Sequence, residues 1–201
     1  MKITSNQALR ELYALPTERA VRKQLSSLDV HCRRFVALSP FVLLASADAT
    51  GCMDASPRGG APGFVQVQDE HTLLIPDAPG NNRLDTLENI IATGQLGLLF
   101  LIPGVDETLR VNGSALLSRD GADIKRCTDA RRAPKLVLRV SVREAYLHCA
   151  KAFMRSGLWN AQSQVPRSVL PGMGQMINDQ TGGDAPPETQ EAMARRYASD
   201  L

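Results

Sequence analysis

The chain has 201 residues, of which 43% are apolar, enough for one domain with a sizeable core. A net charge of +2 and only 4% aromatic residues argue against wholesale nucleic-acid binding, adhesion to membranes and a base-stacking platform. No apolar run approaches the ~20 residues that span a bilayer, no apolar signal core follows Met1, and Cys32, Cys52, Cys127, Cys149, His31, His71 and His148 show no paired metal-ligand spacing, so a cytoplasmic protein with reduced thiols and no metal is expected.

The first forty residues read as helical. Leu9, Leu12, Tyr13 and Leu15 form a stripe closed by Pro16, a second helix starts at Thr17, and a third runs over 28–38 through Val30, Phe35, Val36 and Leu38. Strand texture follows. Segment 41–47 is rich in strand formers, Asp48-Ala49-Thr50-Gly51 turns, and 52–58 completes a hairpin. Pro57 removes a ladder donor, so the strand end at Ser56-Pro57-Arg58 leaves backbone groups and the Ser56 hydroxyl for a ligand, or is a plain terminus with a solvated Arg58. Gly59-Gly60 and Pro62-Gly63 flank a loop of low bulk. Segments 63–67 and 72–76 pair next, and Ile75-Pro76 offers an apolar surface that is either core or the floor of a site.

A Pro79-Gly80 turn then leads into a helix over 84–92, with Asn81 or Asn82 expected as its N-cap. The first turn of a helix presents unpaired N–H groups and the positive end of the dipole. Arg83 adds a permanent charge suited to phosphate. The stretch Asn81-Asn82-Arg83 therefore reads as an anion clamp, with an ordinary helix cap as the alternative. Segment 95–102 reads as a central strand and 108–118 as another, with Arg110 on one face beside Thr108 and Asn112, facing solvent or a site. A helix over 120–128, a strand over 135–147, a helix over 151–158, a loop over 166–174, a linker over 182–187 and a helix over 188–197 complete the chain. In a continuous helix Lys151, Arg155 and Trp159 share one face, suited to an anionic aromatic ligand or, alternatively, to a solvated basic face with Trp159 as an anchor. No nucleophile, acid and base can be grouped into a catalytic set.

In their order, several motifs resemble the pyridoxamine 5'-phosphate oxidase-like family of FMN-binding split barrels, in particular its branch of predicted flavin-nucleotide-binding proteins of undefined substrate. They are Asp54-Ala55-Ser56-Pro57-Arg58-Gly59, Pro62-Gly63-Phe64-Val65, Leu74-Ile75-Pro76-Asp77 and Pro79-Gly80-Asn81-Asn82-Arg83-Leu84-Asp85-Thr86-Leu87. Gly97-Leu98-Leu99-Phe100, Glu107-Thr108-Leu109-Arg110-Val111-Asn112-Gly113 and His148-Cys149-Ala150-Lys151-Ala152 continue the match, which covers about residues 40–160.

The resemblance implies an α+β fold, mainly β: a six-stranded split barrel over 41–150 with N-terminal helices over 1–40 and a C-terminal helical segment over 151–201, in one domain. It also implies a homodimer with FMN at its interface and the phosphate held at Asn82-Arg83. Many members carry two basic residues there, so a second cation is expected from Arg58 or Arg110. The cofactor set is then Ser56, Arg58, Pro76, Asn81, Asn82, Arg83, Arg110, Lys151 and Trp159. The implied activity is that of an FMN-dependent oxidoreductase acting on a small molecule, with the cofactor performing the redox chemistry. A flavin carrier or sensor without turnover, or a barrel that has taken a deazaflavin or haem, stays open. Pyridoxamine phosphate oxidation itself is not expected, because the tail offers Ala194-Arg195-Arg196-Tyr197 and no histidine after His148, where the true oxidases carry an Arg and His pair.

Overall fold

The computed structural model describes residues 2–130, 132–183 and 186–198; Asp184 and Ala185 of the expected linker lie outside them. Helices α1 (Asn6–Leu12), α2 (Glu18–Arg22) and α3 (Val30–Leu38) open the chain. Each begins on a side chain that accepts a first-turn N–H: Ser5 from Ala8, Thr17 from Ala20 and Asp29 from Cys32. The first two helices bury nothing, whereas α3 buries Cys32, Phe35 and Val36.

Seven strands follow: β1 (Phe41–Ala47), β2 (Met53–Gly59), β3 (Gln66–Asp69), β4 (Thr72–Pro76), β5 (Gln95–Leu101), β6 (Thr108–Ser118) and β7 (Val137–His148). They form one antiparallel sheet in the order β2-β1-β5-β6-β7-β4-β3. The strand segments visible in the sequence also number seven, so the six strands implied by the family resemblance fall one short. The shortest is the edge strand β3. It begins at Gln66 and not at 63, because Gly63 takes φ 81° in a turn and the Phe64 N–H donates back to Ala61 O.

Strands β6 and β7 organise the sheet. Over its first half β6 pairs with β5, while it pairs with β7 along its whole length. Strand β7 pairs with β4 through 137–141, so two strand groups diverge from one long central pair. The register shifts between Asn112 and Gly113. Glycine is required at that bulge because a Cβ on Gly113 would collide with the Ser141 carbonyl oxygen. Beyond the reach of β4, the free half of β7 is met by the chain before α3, where Leu25 and Ala145 exchange backbone bonds of 2.9 and 2.8 Å.

Helices α3 and α4 (Asp85–Thr93) both pack on the inner face of the sheet. Phe35, Val36, Leu87 and Ile90 join Leu44, Leu98, Phe100 and Val111 in the main core. A satellite cluster of Leu74, Val137, Cys127 and Ile124 seats α5 (Gly121–Cys127) on β4 and β7. No helix among the described residues is long and apolar enough to cross a membrane.

The sequence predicts one domain with a helical segment from 151; contacts in the structure group into two compact units, dividing between Met154 and Arg155. Helix α6 (Lys151–Ser156) stops short of the expected 158 because Gly157 turns left-handed at φ 58°. In the second unit, a helix α7 (Met173–Thr181) follows part of the expected loop 166–174 and packs on α8 (Gln190–Ala198). Its sequence, MGQMINDQT, places Met173, Met176 and Ile177 at helical spacing, a signal that the loop reading passed over. Neither α7 nor α8 has a fully buried residue.

Candidate functional site

Directly opposed residues of neighbouring strands share a face of the sheet, and successive residues alternate. Ser56, Leu44, Leu98, Val111 and Ala145 are opposed in one row across β2, β1, β5, β6 and β7. The last four are fully buried, so this is the inner face. Asp54, Ser56 and Arg58 therefore point inward from edge strand β2, each half-buried. At the β4 end Arg58 Nη1 donates to Asp77 Oδ1 at 2.9 Å, with both side chains about four-fifths covered (20% and 18% exposed).

The α4 start adjoins the same edge. Thr86 Oγ1 donates to Asp54 Oδ2 at 2.5 Å and Ser56 Oγ to the same oxygen at 3.1 Å. Behind them Asn89 Nδ2 donates to Ser46 Oγ at 3.0 Å. Ser46, Thr86 and Asn89 are buried, so a chain of polar side chains lies in an otherwise apolar contact between α4, β1 and β2. Among the described residues no buried side-chain nitrogen or oxygen lacks a hydrogen-bond partner.

The turn before α4 differs from its expected form. Neither Asn81 nor Asn82 is the N-cap; that place falls to Leu84, and no side chain caps the helix. The Asn81 side chain instead accepts the Arg83 N–H at 2.9 Å, while Asn82 adopts the left-handed conformation at φ 59°, which asparagine tolerates in such turns. Arg83 Nε donates to Asp85 Oδ2 at 2.5 Å, with the guanidinium 77% exposed. That bond and the Asp85 charge, with a smaller share from Asp54, hold the Arg83 pKa above its usual value.

The family model of pyridoxamine 5'-phosphate oxidase matches residues 28–149, the stretch that carries the whole sheet and this corner. The chain belongs to that family. Like other members of this flavin-binding group, it has the split-barrel sheet with flanking helices. No curated protein matches it. A variant of HupZ from Group A Streptococcus superposes with a TM-score of 0.50 at 18% identity, over 60% of this chain and 99% of that one. For an FMN-binding protein from Syntrophomonas wolfei the TM-score is 0.46 at 12% identity, over 58% and 83%. For the FAD binding protein from Mycobacterium smegmatis it is 0.44 at 16% identity, over 62% and 97%. The first of these, at 18% identity, shows likeness of fold alone.

The other residues expected at the cofactor of this family member lie apart from the corner. Arg110 is opposed to Leu99 and Tyr146, in the row that contains Pro57 and Leu43, and so faces outward, opposite to Ser56 and Arg58. It is exposed, donates to the Tyr146 hydroxyl at 3.2 Å and shares that ring with Lys23, at 6.0 and 5.6 Å from the centroid. Thr108 is buried, so the polar stripe expected beside Arg110 is shorter than the alternation suggests. Pro76 closes β4 opposite Val137, on the side of the satellite core. Lys151 opens α6, exposed. The alignment of Lys151, Arg155 and Trp159 fails, because the left-handed Gly157 ends the helix before Trp159 is reached.

Residue-type reasoning passed over Asp77, Asp54, Thr86 and Asn89. Asp54 and Ser56 sit two apart on a strand, and Thr86 and Asn89 three apart on a helix; that spacing is the signal that places each pair on one face. An open groove of about 860 Å³ also runs beside α5, where Arg139 bridges Asp123 at 2.9 Å and Gln68 at 3.0 Å. Of its charged side chains, Asp123 and Arg139 pair with each other, and Arg126 donates to the Val67 carbonyl. Burial pushes the Cys32 and Cys127 thiols up to about 11, so neither is a thiolate at neutral pH. No cluster of metal-ligating side chains occurs among the described residues.

Proposed function

We propose that this family member binds FMN by its phosphate at the corner between β2 and the start of α4, and serves as a homodimeric FMN-dependent oxidoreductase for a small molecule. The observation that carries the reading is the uncapped α4 terminus, tied through Thr86 and Asp54 to the strand that bears Ser56 and Arg58. A helix start without a side-chain cap leaves first-turn amides for an anion, and the Ser56 hydroxyl and Arg83 stand at the same edge.

Charge tests the fit. Arg58 and Arg83 face Asp54, Asp77 and Asp85, so the corner has no standing cationic surplus. Arg83 is the cation that can be delivered: its pair with Asp85 is largely exposed, and exposed pairs contribute little, so the guanidinium exchanges Asp85 for a phosphate at small cost. Arg58, covered and held by Asp77, remains a fixed wall. The residues present therefore fit a phosphate monoester at Asn81, Asn82 and Arg83, with Ser56 as a hydroxyl donor.

Bound FMN supplies reversible hydride and electron transfer at its ring system. The chain's own residues bind and orient it: Arg83 neutralises the phosphate and the α4 amides direct it. The homodimer is supported by the outer face of β2, β1 and β5, where Met53 is 75% exposed and Phe41, Leu43, Ala45 and Leu99 are half-buried. Arg110 lies on that face, so a second copy would carry it toward the interface.

Purified Arg83→Ala protein, titrated with FMN by flavin fluorescence, should bind at least about tenfold more weakly, as expected for loss of a charge-assisted contact. An affinity within about twofold of wild type would overturn the clamp. The absorbance spectrum directly after purification separates a flavin from the haem or deazaflavin alternatives.

A further inference from the structure

Asp54 is the point at which β2 and α4 are joined. Its Oδ2 accepts from Thr86 at 2.5 Å and from Ser56 at 3.1 Å, and Ser46 stands 3.5 Å away. Ser46 in turn accepts from Asn89, one helical turn beyond Thr86. Three members of this chain, Ser46, Thr86 and Asn89, are buried at 3, 3 and 8% exposure. Burying polar side chains between a helix and a sheet is costly unless every bond is made, and a fully bonded set fixes one arrangement where apolar packing allows several. Leu87 and Ile90 already supply the apolar grip of α4. The polar chain therefore sets where along β2 the first turn of α4 comes to rest.

We propose that Asp54 is a positioning residue that holds the amides of the first turn of α4 in register with Ser56, so that one phosphate meets them together. This rests on the phosphate reading above. Asp54 contributes no bond to the ligand, and as an anion it opposes a phosphate by charge. The two effects have opposite signs. If charge alone mattered, Asp54→Asn would tighten FMN; if register matters, it weakens FMN, because a neutral amide oxygen holds the Thr86 and Ser56 hydroxyls less strongly than the carboxylate does.

The test compares FMN with riboflavin, which lacks the phosphate, in Asp54→Asn, Thr86→Val and Thr86→Ser proteins. Asp54→Asn and Thr86→Val are expected to raise the FMN dissociation constant about tenfold and to leave riboflavin within about twofold, while Thr86→Ser, which keeps the hydroxyl, behaves as wild type. Without ligand, amide hydrogen exchange over 85–88 should be faster in the first two variants. Unchanged or tighter FMN binding by Asp54→Asn overturns the inference. So does equal weakening of FMN and riboflavin, which marks a general loss of structure; should Asp54→Asn fail to fold, Thr86→Val decides alone. Wild-type protein that binds FMN and riboflavin equally sinks the phosphate reading, whereas unaltered exchange over 85–88 sinks only the role of Asp54.

Discussion

Helices α3 and α4 are the same length, nine residues, and lie on the same inner face, yet they begin in opposite ways. Helix α3 starts on Asp29, whose carboxylate accepts the Cys32 N–H at 2.8 Å. Helix α4 starts on Leu84 and has no side-chain cap, and the Asn81 side chain accepts the Arg83 N–H instead. An unmade cap forfeits about 1 kcal/mol, although asparagines stand two and three residues before Leu84. One helix is completed by its own chain. The other is fixed sideways, through Thr86 and Asp54, with its end left open. The contrast separates a terminus that serves the fold from one that suits a ligand.

The contrast is confined to the ends, and the largest predicted effects check this. Phe35→Ala in α3 should cost about 3–5 kcal/mol and Leu87→Ala in α4 about 2–5 kcal/mol in urea unfolding, since both side chains are buried in one core at 8 and 6% exposure. A much smaller loss for Leu87→Ala would show that α4 is held by its polar chain and not by apolar packing.

At the α3 end the expected effect is smaller. Asp29→Ala should lower stability by about 1 kcal/mol. The Cys32 N–H, partly opposed by burial, holds the Asp29 carboxyl below its usual value. A carboxyl with a depressed folded pKa stabilises in full above its unfolded pKa and loses that contribution as pH falls through the folded value. The stability gap between wild type and Asp29→Asn should therefore narrow from pH 7 to pH 3; a gap that is constant across this range would show that the cap works without its charge.

Much of the fold is legible in the residues. The strand formers of 41–47, the apolar run over 95–102, the Asp48 to Gly51 turn and the length of β6 and β7 all follow from local pattern, since strand propensity and turn chemistry are local properties. What local pattern cannot supply is the face. Arg58 and Arg110 were equal candidates for a second cation, and only the pairing of β2, β1, β5 and β6 puts them on opposite sides of the sheet. Arg58 is moreover matched with Asp77, 19 residues away, a partner that no spacing rule reveals. The end of α6 was missed for the reverse reason: a single left-handed glycine, Gly157, outweighs the periodicity of the residues on either side.

The finest test of the contrast is to finish α4 as α3 is finished. Leu84 is 47% exposed, so Leu84→Ser removes little from the core and places a hydroxyl where a cap belongs. Leu84 holds φ −101° and ψ 20°, outside the extended region that caps prefer, so the backbone must adjust and the gain should be modest, about 0.5 kcal/mol in urea unfolding without ligand. If the open amides serve a phosphate, the new hydroxyl competes for them, and FMN should bind about two- to fivefold more weakly. Stability that rises while FMN affinity holds would mean that the end of α4 is merely unfinished. The opposite signs of the two effects in one variant are what a ligand-completed helix requires, because the same N–H groups cannot satisfy both partners.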